Sequence, residues 1–287
     1  MESSAGEIEK HVYKEYRDSK GNDKQLNIAL VRPVDNLKHK KRPLIIGIHG
    51  SGFINTCLFD PCYVKYSREV LARHFVPQGF ITASVKYRLA SPLDLQPPRI
   101  SDNKLKETHY NAVQDVREAI KFIFENAEKF GVDTENVFII GTSAGAITAL
   151  HAAYLDNDEV SENLLKVQGR LAEREKIKGV ISLSGAIYDL SYLKGGDKIP
   201  LMIVHGSKDF IVPAAKGFYL GMKHITPVFG GKTIFEEAQK QEIPAKGYFY
   251  DFGHKYPSRF ENEIYKNTND FIRSHITCLN QNPENIK

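Results

Sequence analysis

Asn136-Val-Phe-Ile-Ile-Gly-Thr-Ser-Ala-Gly-Ala-Ile-Thr-Ala-Leu150 is the stretch on which the reading of the chain turns. Its first half is a short apolar run rich in β-branched and aromatic residues, the pattern of a strand buried on both faces. Its second half is an Ala-rich run with helical character, continuing to Tyr154. Between them stands Gly141-Thr-Ser-Ala-Gly145, a G-x-S-x-G that occurs once in the chain. A strand that turns at a glycine-flanked serine directly into a helix presents the hydroxyl at the C-terminal edge of a sheet. It also aims the helix N-terminus at charge developing beside that hydroxyl. At average composition such a pentapeptide arises by chance in about 0.1 chains of this length. The motif alone is therefore moderate evidence, and its place between strand and helix strengthens it. The alternative is a glycine-rich turn with an ordinary serine.

Around this stretch, short apolar runs alternate with longer amphipathic ones, which predicts a mostly parallel sheet with helices on both faces. The opening reads as two antiparallel strands, His11–Tyr16 and Leu26–Arg32. Further strands are expected at Pro43–Ile48, Phe80–Val85, Asn136–Ile140, Lys178–Leu183, Pro200–Val204 and Gly247–Asp251. Helices are expected at Val64–Val76, Glu107–Phe130 (closed by Gly131), Ser143–Tyr154 and Ser258–Ile276. Ser91–Lys106 and Asp156–Lys176 read as surface loops. Gly185–Ile199 is too short for a lid domain, and Gly217–Pro244 could supply only a modest cover, so a fairly open site is expected. No repeat or linker divides the 287 residues, and one domain spanning 1–287 is the simplest account.

The composition is 41% hydrophobic and 26% charged, as in ordinary globular proteins, which argues against disorder. The net charge of +4 is dispersed, and its densest run, Lys38-His-Lys-Lys-Arg42, reads as a solvated turn. No basic stripe is interleaved with aromatics, so nucleic acid is not an expected partner. No apolar stretch approaches 18 residues, so no membrane span is expected. The start, MESSAGEIEK, lacks an apolar signal core, which favours a cytoplasmic location unless a leader has been removed. Cys57, Cys62 and Cys278 form no metal-ligand pattern. The first two are near enough for a small-loop disulfide, with reduced thiols the simpler expectation.

His49-Gly-Ser-Gly-Phe53 follows the strand at Pro43–Ile48. It resembles the HGGG-type loop of α/β-hydrolase carboxylesterases, in their hormone-sensitive-lipase-like and acetyl xylan/feruloyl-esterase-like branches. Leu201-Met-Ile-Val-His-Gly-Ser-Lys-Asp209, followed by Phe-Ile-Val-Pro213, resembles the HG-x-x-D-x-x-VP segment of the same enzymes. The likeness extends to Lys86-Tyr-Arg-Leu89 and Asp115-Val-Arg-Glu-Ala-Ile120, and covers roughly Gly21 to Ser274. It implies an α/β-hydrolase fold, with Ser51, Gly52 and Ala144 supplying backbone N–H groups to an oxyanion and Asp209 as the triad acid. Ser51 departs from the usual glycine, and serine tolerates positive φ poorly. Asp251 is the rival acid, but stands too near the histidine in sequence to match. Of the ten histidines, His254, in Tyr250-Asp-Phe-Gly-His254, alone falls between the last strand and the closing helix, where it could serve as general base. His49, His151 and His205 read as structural.

Ser143, Asp209 and His254 stand in the Ser…Asp…His order of α/β hydrolases, each just past an expected strand end. The expectation is a serine esterase acting on a small-molecule or carbohydrate ester with a short- to medium-chain acyl group. No metal or organic cofactor is expected. Phe53 and Phe210 are candidates for an acyl pocket, against plain core packing. The rival readings are an amidase, formamidase or peptidase with the same triad, or a non-catalytic binding protein of the same fold. The sequence does not fix the oligomeric state.

Overall fold

The computed structural model describes residues 6–18, 20–34, 41–54, 62–91, 100–195 and 198–277. In it the apolar runs become strands: β1 (Glu7–Arg17), β2 (Asp23–Arg32), β3 (Arg42–Ile48), β4 (Ile81–Val85), β5 (Val132–Thr142), β6 (Gly179–Leu183), β7 (Ala186–Ile187), β8 (Leu201–Gly206), β9 (Lys216–Gly217), β10 (Val228–Gly230) and β11 (Ala245–Tyr250). Eight of them form one sheet in the order β1-β2-β4-β3-β5-β6-β8-β11, while β7-β10-β9 make a small second sheet. β1 pairs antiparallel with β2, and β2 with β4. Every pairing from β4 through β3 to β11 is parallel. Parallel neighbours need crossovers, and these carry the helices α1 (Cys62–Phe75), α2 (Asp102–Glu125), α3 (Ala127–Phe130), α4 (Ala144–Tyr154), α5 (Glu162–Gln168) and α6 (Gly231–Lys240), while α7 (Glu261–His275) follows the last strand.

Successive side chains of a strand point to opposite faces, and the core divides accordingly. Leu44, Ile46, Val137 and Ile139 join Val113, Val116, Leu150 and Ile234 on the face covered by α2, α4 and α6. Ile45, Phe138 and Ile140 join Val70, Leu71, Ile264 and Phe271 on the face covered by α1 and α7. Gly179 lies where Phe138 and Phe271 meet, and an added Cβ there would stand 3.1 Å from atoms of both rings. A polar knot ties α2 to the strands. Asp115 is fully buried and accepts from the Arg88 Nε at 2.8 Å, the Arg88 backbone N–H at 2.9 Å and the Lys14 Nζ at 2.8 Å. Arg117, also buried, donates to the carbonyls of Ala152 and Leu155 at the end of α4.

Three segments differ from the sequence reading. α2 begins at Asp102, not near Glu107, with the Ser101 side chain accepting from the Lys104 N–H. Its first turns carry mainly Asn, Lys and Glu, so the apolar stripe there is too sparse to read. It also breaks at Asn126 before the short α3, where Gly131 at φ 66 ends the run. Within Asp156–Lys176, read as loop, α5 forms. Within Gly217–Pro244, read as cover, α6 forms and packs Ile234 and Ala238 into the core as the crossover from β8 to β11. The disulfide considered between Cys57 and Cys62 lies outside the described residues.

Phe271 is fully buried between α7 and the sheet. Phe271→Ala is expected to lower unfolding free energy by about 3–5 kcal/mol in urea titrations. Val167→Ala, at a residue 67% exposed, should stay within about 0.5 kcal/mol of wild type.

Candidate active site

β5 ends at Thr142 and α4 begins at Ala144, so Ser143 alone makes the turn. Its φ of 54° and ψ of −123° lie outside the usual regions for a side-chain-bearing residue. Such a residue costs about 1–3 kcal/mol and persists only where its surroundings over-determine it. Here the Ser143 N–H donates to Leu183 O of β6 at 2.8 Å, and Ser143 O accepts from Ala146 and Ile147 at 2.8 and 3.0 Å. The flanking glycines are demanded by contact: a Cβ on Gly141 would stand 2.3 Å from Gly145 O, and one on Gly145 would stand 2.1 Å from Ile48 O. The G-x-S-x-G pattern is thus the steric condition for the end of β3 to lie against the start of α4.

The His49–Phe53 loop closes over this turn. A Cβ on Gly50 would stand 2.6 Å from Thr142 O and 3.1 Å from the Ser143 Cβ, so the loop passes directly beside the serine. Positive φ falls on Gly52 (61°) and Phe53 (62°), not on Ser51, and the serine that departs from the family pattern takes no left-handed strain. The Tyr87 hydroxyl donates to His49 O at 2.7 Å, and the His49 and Tyr87 rings stack with centroids 4.4 Å apart. Burial drives the His49 ring down to about 4, so it is neutral near pH 7 and serves as packing. Phe53 and Phe210 sit in opposite surroundings. Phe53 is buried in the core and edge-on to His109, whereas Phe210 is 72% exposed beside Asp209.

Three side chains meet at the turn. His254 Nε2 lies 2.7 Å from Ser143 Oγ, and His254 Nδ1 lies 2.8 Å from Asp209 Oδ2. A carboxylate only accepts, so the ring proton sits on Nδ1 and Nε2 is left to receive the serine hydrogen. Asp209 Oδ1 accepts the backbone N–H groups of Ile211 and Val212, both at 2.9 Å. Burial alone would raise the Asp209 carboxyl, but hydrogen bonds from His205, His254 and the Val212 N–H outweigh it. They hold the group far below its ordinary 3.8. The rival, Asp251, is at the surface and pairs with Lys208 at 2.9 Å. The loop bearing His254 rests on β8, where a Cβ on Gly206 would stand 2.2 Å from Gly253 O.

Two neighbours of the row were given no part in the site by the sequence, Ser184 unremarked and His205 read as structural. Ser184, at φ 56° just past β6, donates its hydroxyl to His254 O at 3.3 Å and steadies the histidine loop; no motif marks it. His205 Nε2 stands 3.4 Å from Asp209 Oδ2, and the signal was present in the four-residue spacing of the HG-x-x-D segment. His151 donates from Nδ1 to Ile147 O at 2.8 Å, a helix-internal bond. Among the described residues no cluster of three or more His, Cys, Asp or Glu could hold a metal ion, and no helix is long and apolar enough to cross a membrane.

The sheet order, the strained serine between strand and helix, and the acid and histidine on later strand ends define an α/β-hydrolase fold. Residues 33–196, more than half the chain, match the BD-FAE family model, and the chain belongs to that family. It is 27% identical over 161 residues to Probable carboxylesterase 1 of Arabidopsis thaliana, across 52% of this chain and 45% of that protein. It is 31% identical over 126 residues to Lipase 5 of Diutina rugosa, across 44% of this chain and 22% of that protein. The matched part spans less than half the length of each of these curated relatives. Among solved structures, esterase 2 of Thermogutta terrifontis phosphonylated by cyclosarin superposes with a TM-score of 0.62 at 17% identity, over 93% of this chain and 94% of that one. At that identity the likeness establishes the fold.

The depressed Asp209 carboxyl makes stability depend on pH. Its folded-state value lies below the ordinary 3.8, so the ionised form stabilises the fold above that pH, and the contribution fades as pH falls through the folded-state value. Asp209→Asn should therefore lower the urea midpoint at pH 7, and the gap from wild type should narrow steadily below about pH 4.

Proposed function

We propose that the protein is a serine hydrolase that cleaves carboxylic esters through an acyl-enzyme on Ser143. The hydrogen-bonded row Ser143–His254–Asp209, set beside a glycine-lined loop, carries the proposal. His254 takes the Ser143 proton at Nε2 as Oγ attacks the ester carbonyl. Asp209 holds the ring in the right tautomer and stabilises it once charged. The carbonyl oxygen becomes an oxyanion facing the backbone N–H groups of Ser51, Gly52 and Ala144. Ala144 is the first residue of α4, so its N–H has no partner within the helix. Preorganised donors of this kind are each worth about 3–4 kcal/mol in the transition state.

His254 then returns the proton to the departing alcohol oxygen. Water, deprotonated by the same ring, attacks the acyl-enzyme and releases the acid. The chemistry draws on these side chains and backbone groups alone, within a single domain. Esters are favoured over amides because the relatives are named carboxylesterase and lipase. The substrate class is a small-molecule or carbohydrate-linked ester with a short- to medium-chain acyl group. Phe210, exposed beside Asp209, is placed to meet substrate at the mouth, and Phe53 backs the donor loop.

Ser143→Ala should leave the circular dichroism spectrum unchanged and reduce kcat/KM for p-nitrophenyl acetate by at least about a thousandfold. A fluorophosphonate probe should label wild type and not the variant. Full activity in the purified variant would overturn the assignment, and turnover of a matched anilide as fast as the ester would overturn the ester preference.

A further inference from the structure

His205 stands outside the serine–histidine–aspartate row and yet touches it. Its side chain is fully buried at the end of β8, four residues before Asp209. The Gly231 N–H donates to its Nδ1 at 3.2 Å. A ring nitrogen that accepts a hydrogen bond carries no proton, so in the neutral ring the proton sits on Nε2. Nε2 faces Val212 O at 3.0 Å and Asp209 Oδ2 at 3.4 Å. Asp209 Oδ1 is occupied by two backbone N–H groups, so Oδ2 is the oxygen on which two imidazoles converge, His254 at 2.8 Å and His205 at 3.4 Å.

We propose that His205 is a positioning residue of the triad: it fixes the Asp209 carboxylate and draws charge from the oxygen that faces His254. A residue that only filled space would not make these contacts. The ring reaches a backbone amide on α6, a backbone carbonyl in the acid loop and the carboxylate itself. The approach of α6 is specific, because a Cβ on Gly231 would stand 2.7 Å from His205 Nδ1. That amide opens the helix and is one of its unpartnered N-terminal donors. The end of β8, the acid loop and the start of α6 are thereby pinned to one imidazole.

Other ionisable groups surround the pair. Tyr219, from the turn at 219–221, faces Asp209 and is held neutral by burial. Lys208 and Asp251 pair with each other at 2.9 Å on the exposed rim, and Lys255 follows His254 in its loop. His205 differs from them in approaching Oδ2 itself. Removing its N–H leaves more negative charge for His254, which favours the imidazolium, so the titration of His254 moves to higher pH. The acidic limb of kcat/KM follows it.

The kinetic part rests on the esterase reading; the titration does not. His205→Asn keeps an acceptor for the Gly231 N–H and loses the donor toward Asp209. His205→Gln carries an amide nitrogen to the place of Nε2. The His254 ring is titrated by NMR in wild type and both variants, and kcat/KM for p-nitrophenyl acetate is recorded from about pH 5 to 9. In His205→Asn the His254 midpoint is expected to rise by about half a unit or more, with kcat/KM falling about tenfold through kcat. In His205→Gln the midpoint should stay close to wild type. An unmoved midpoint in His205→Asn, with only a lower melting temperature, would overturn the proposal. If wild type fails to turn over the ester while the midpoint still shifts, the esterase reading falls and this one stands. Should His205→Asn not fold, the wild-type tautomer decides. A His205 proton on Nε2 in long-range ¹H–¹⁵N spectra supports the proposal, and a proton on Nδ1 overturns it.

Discussion

One backbone conformation organises the molecule: the positive-φ serine at the junction of β5 and α4. Nothing in serine itself favours that geometry. It exists because β6 accepts its N–H through Leu183 O, because the end of β3 occupies the space a side chain at 145 would need, and because Gly145 O does the same at 141. Two of these contacts are made by the central strands β3 and β6, and the third lies between the end of β5 and the first turn of α4. The apolar, doubly buried strands therefore do more than supply a core. They create the rigid frame against which a strained turn can be held with its hydroxyl outward.

A second constraint is electrostatic. Asp209 is buried, and a buried carboxylate without donors would take up a proton and lose its use beside a histidine. The acid loop meets that demand locally, through two backbone amides on Oδ1, and at a distance, through imidazoles on Oδ2. The charge so retained can orient the His254 ring and balance it when it becomes cationic. The histidine loop is in turn seated by Ser184 and by its approach to Gly206. Each member of the row is fixed by neighbours that are not themselves in it.

The sequence disclosed those parts of this arrangement that depend on local pattern. The strands were legible because parallel strands covered on both faces read as unbroken apolar runs, and the turn was legible because contact with backbone forces glycine at 141 and 145. The start of α2 was obscured because its first turn is polar apart from Leu105, with Asp, Asn, Lys and Glu in place of an apolar stripe. α6 was hidden for a related reason: Ile234 and Ala238 are buried in the core with Phe235 half-buried beside them, in a helix that opens on two glycines. Side chains that act through space were the hardest to read. The role of Ser184 depends on where His254 O lies, seventy residues later, and no spacing reports it. His205 stood in plain view within a motif, but its second partner, the Gly231 amide, belongs to the helix the sequence concealed.

The contact between Gly206 and Gly253 couples two loops that are far apart along the chain. A methyl group at 206 would have to displace the carbonyl just before His254, so a change at the end of β8 is felt in the base-bearing loop. The constraint is one-sided, since a side chain at 253 would meet only Lys208 O, at 3.9 Å: position 206 is locked to glycine by the base-bearing loop, whereas 253 is open to drift.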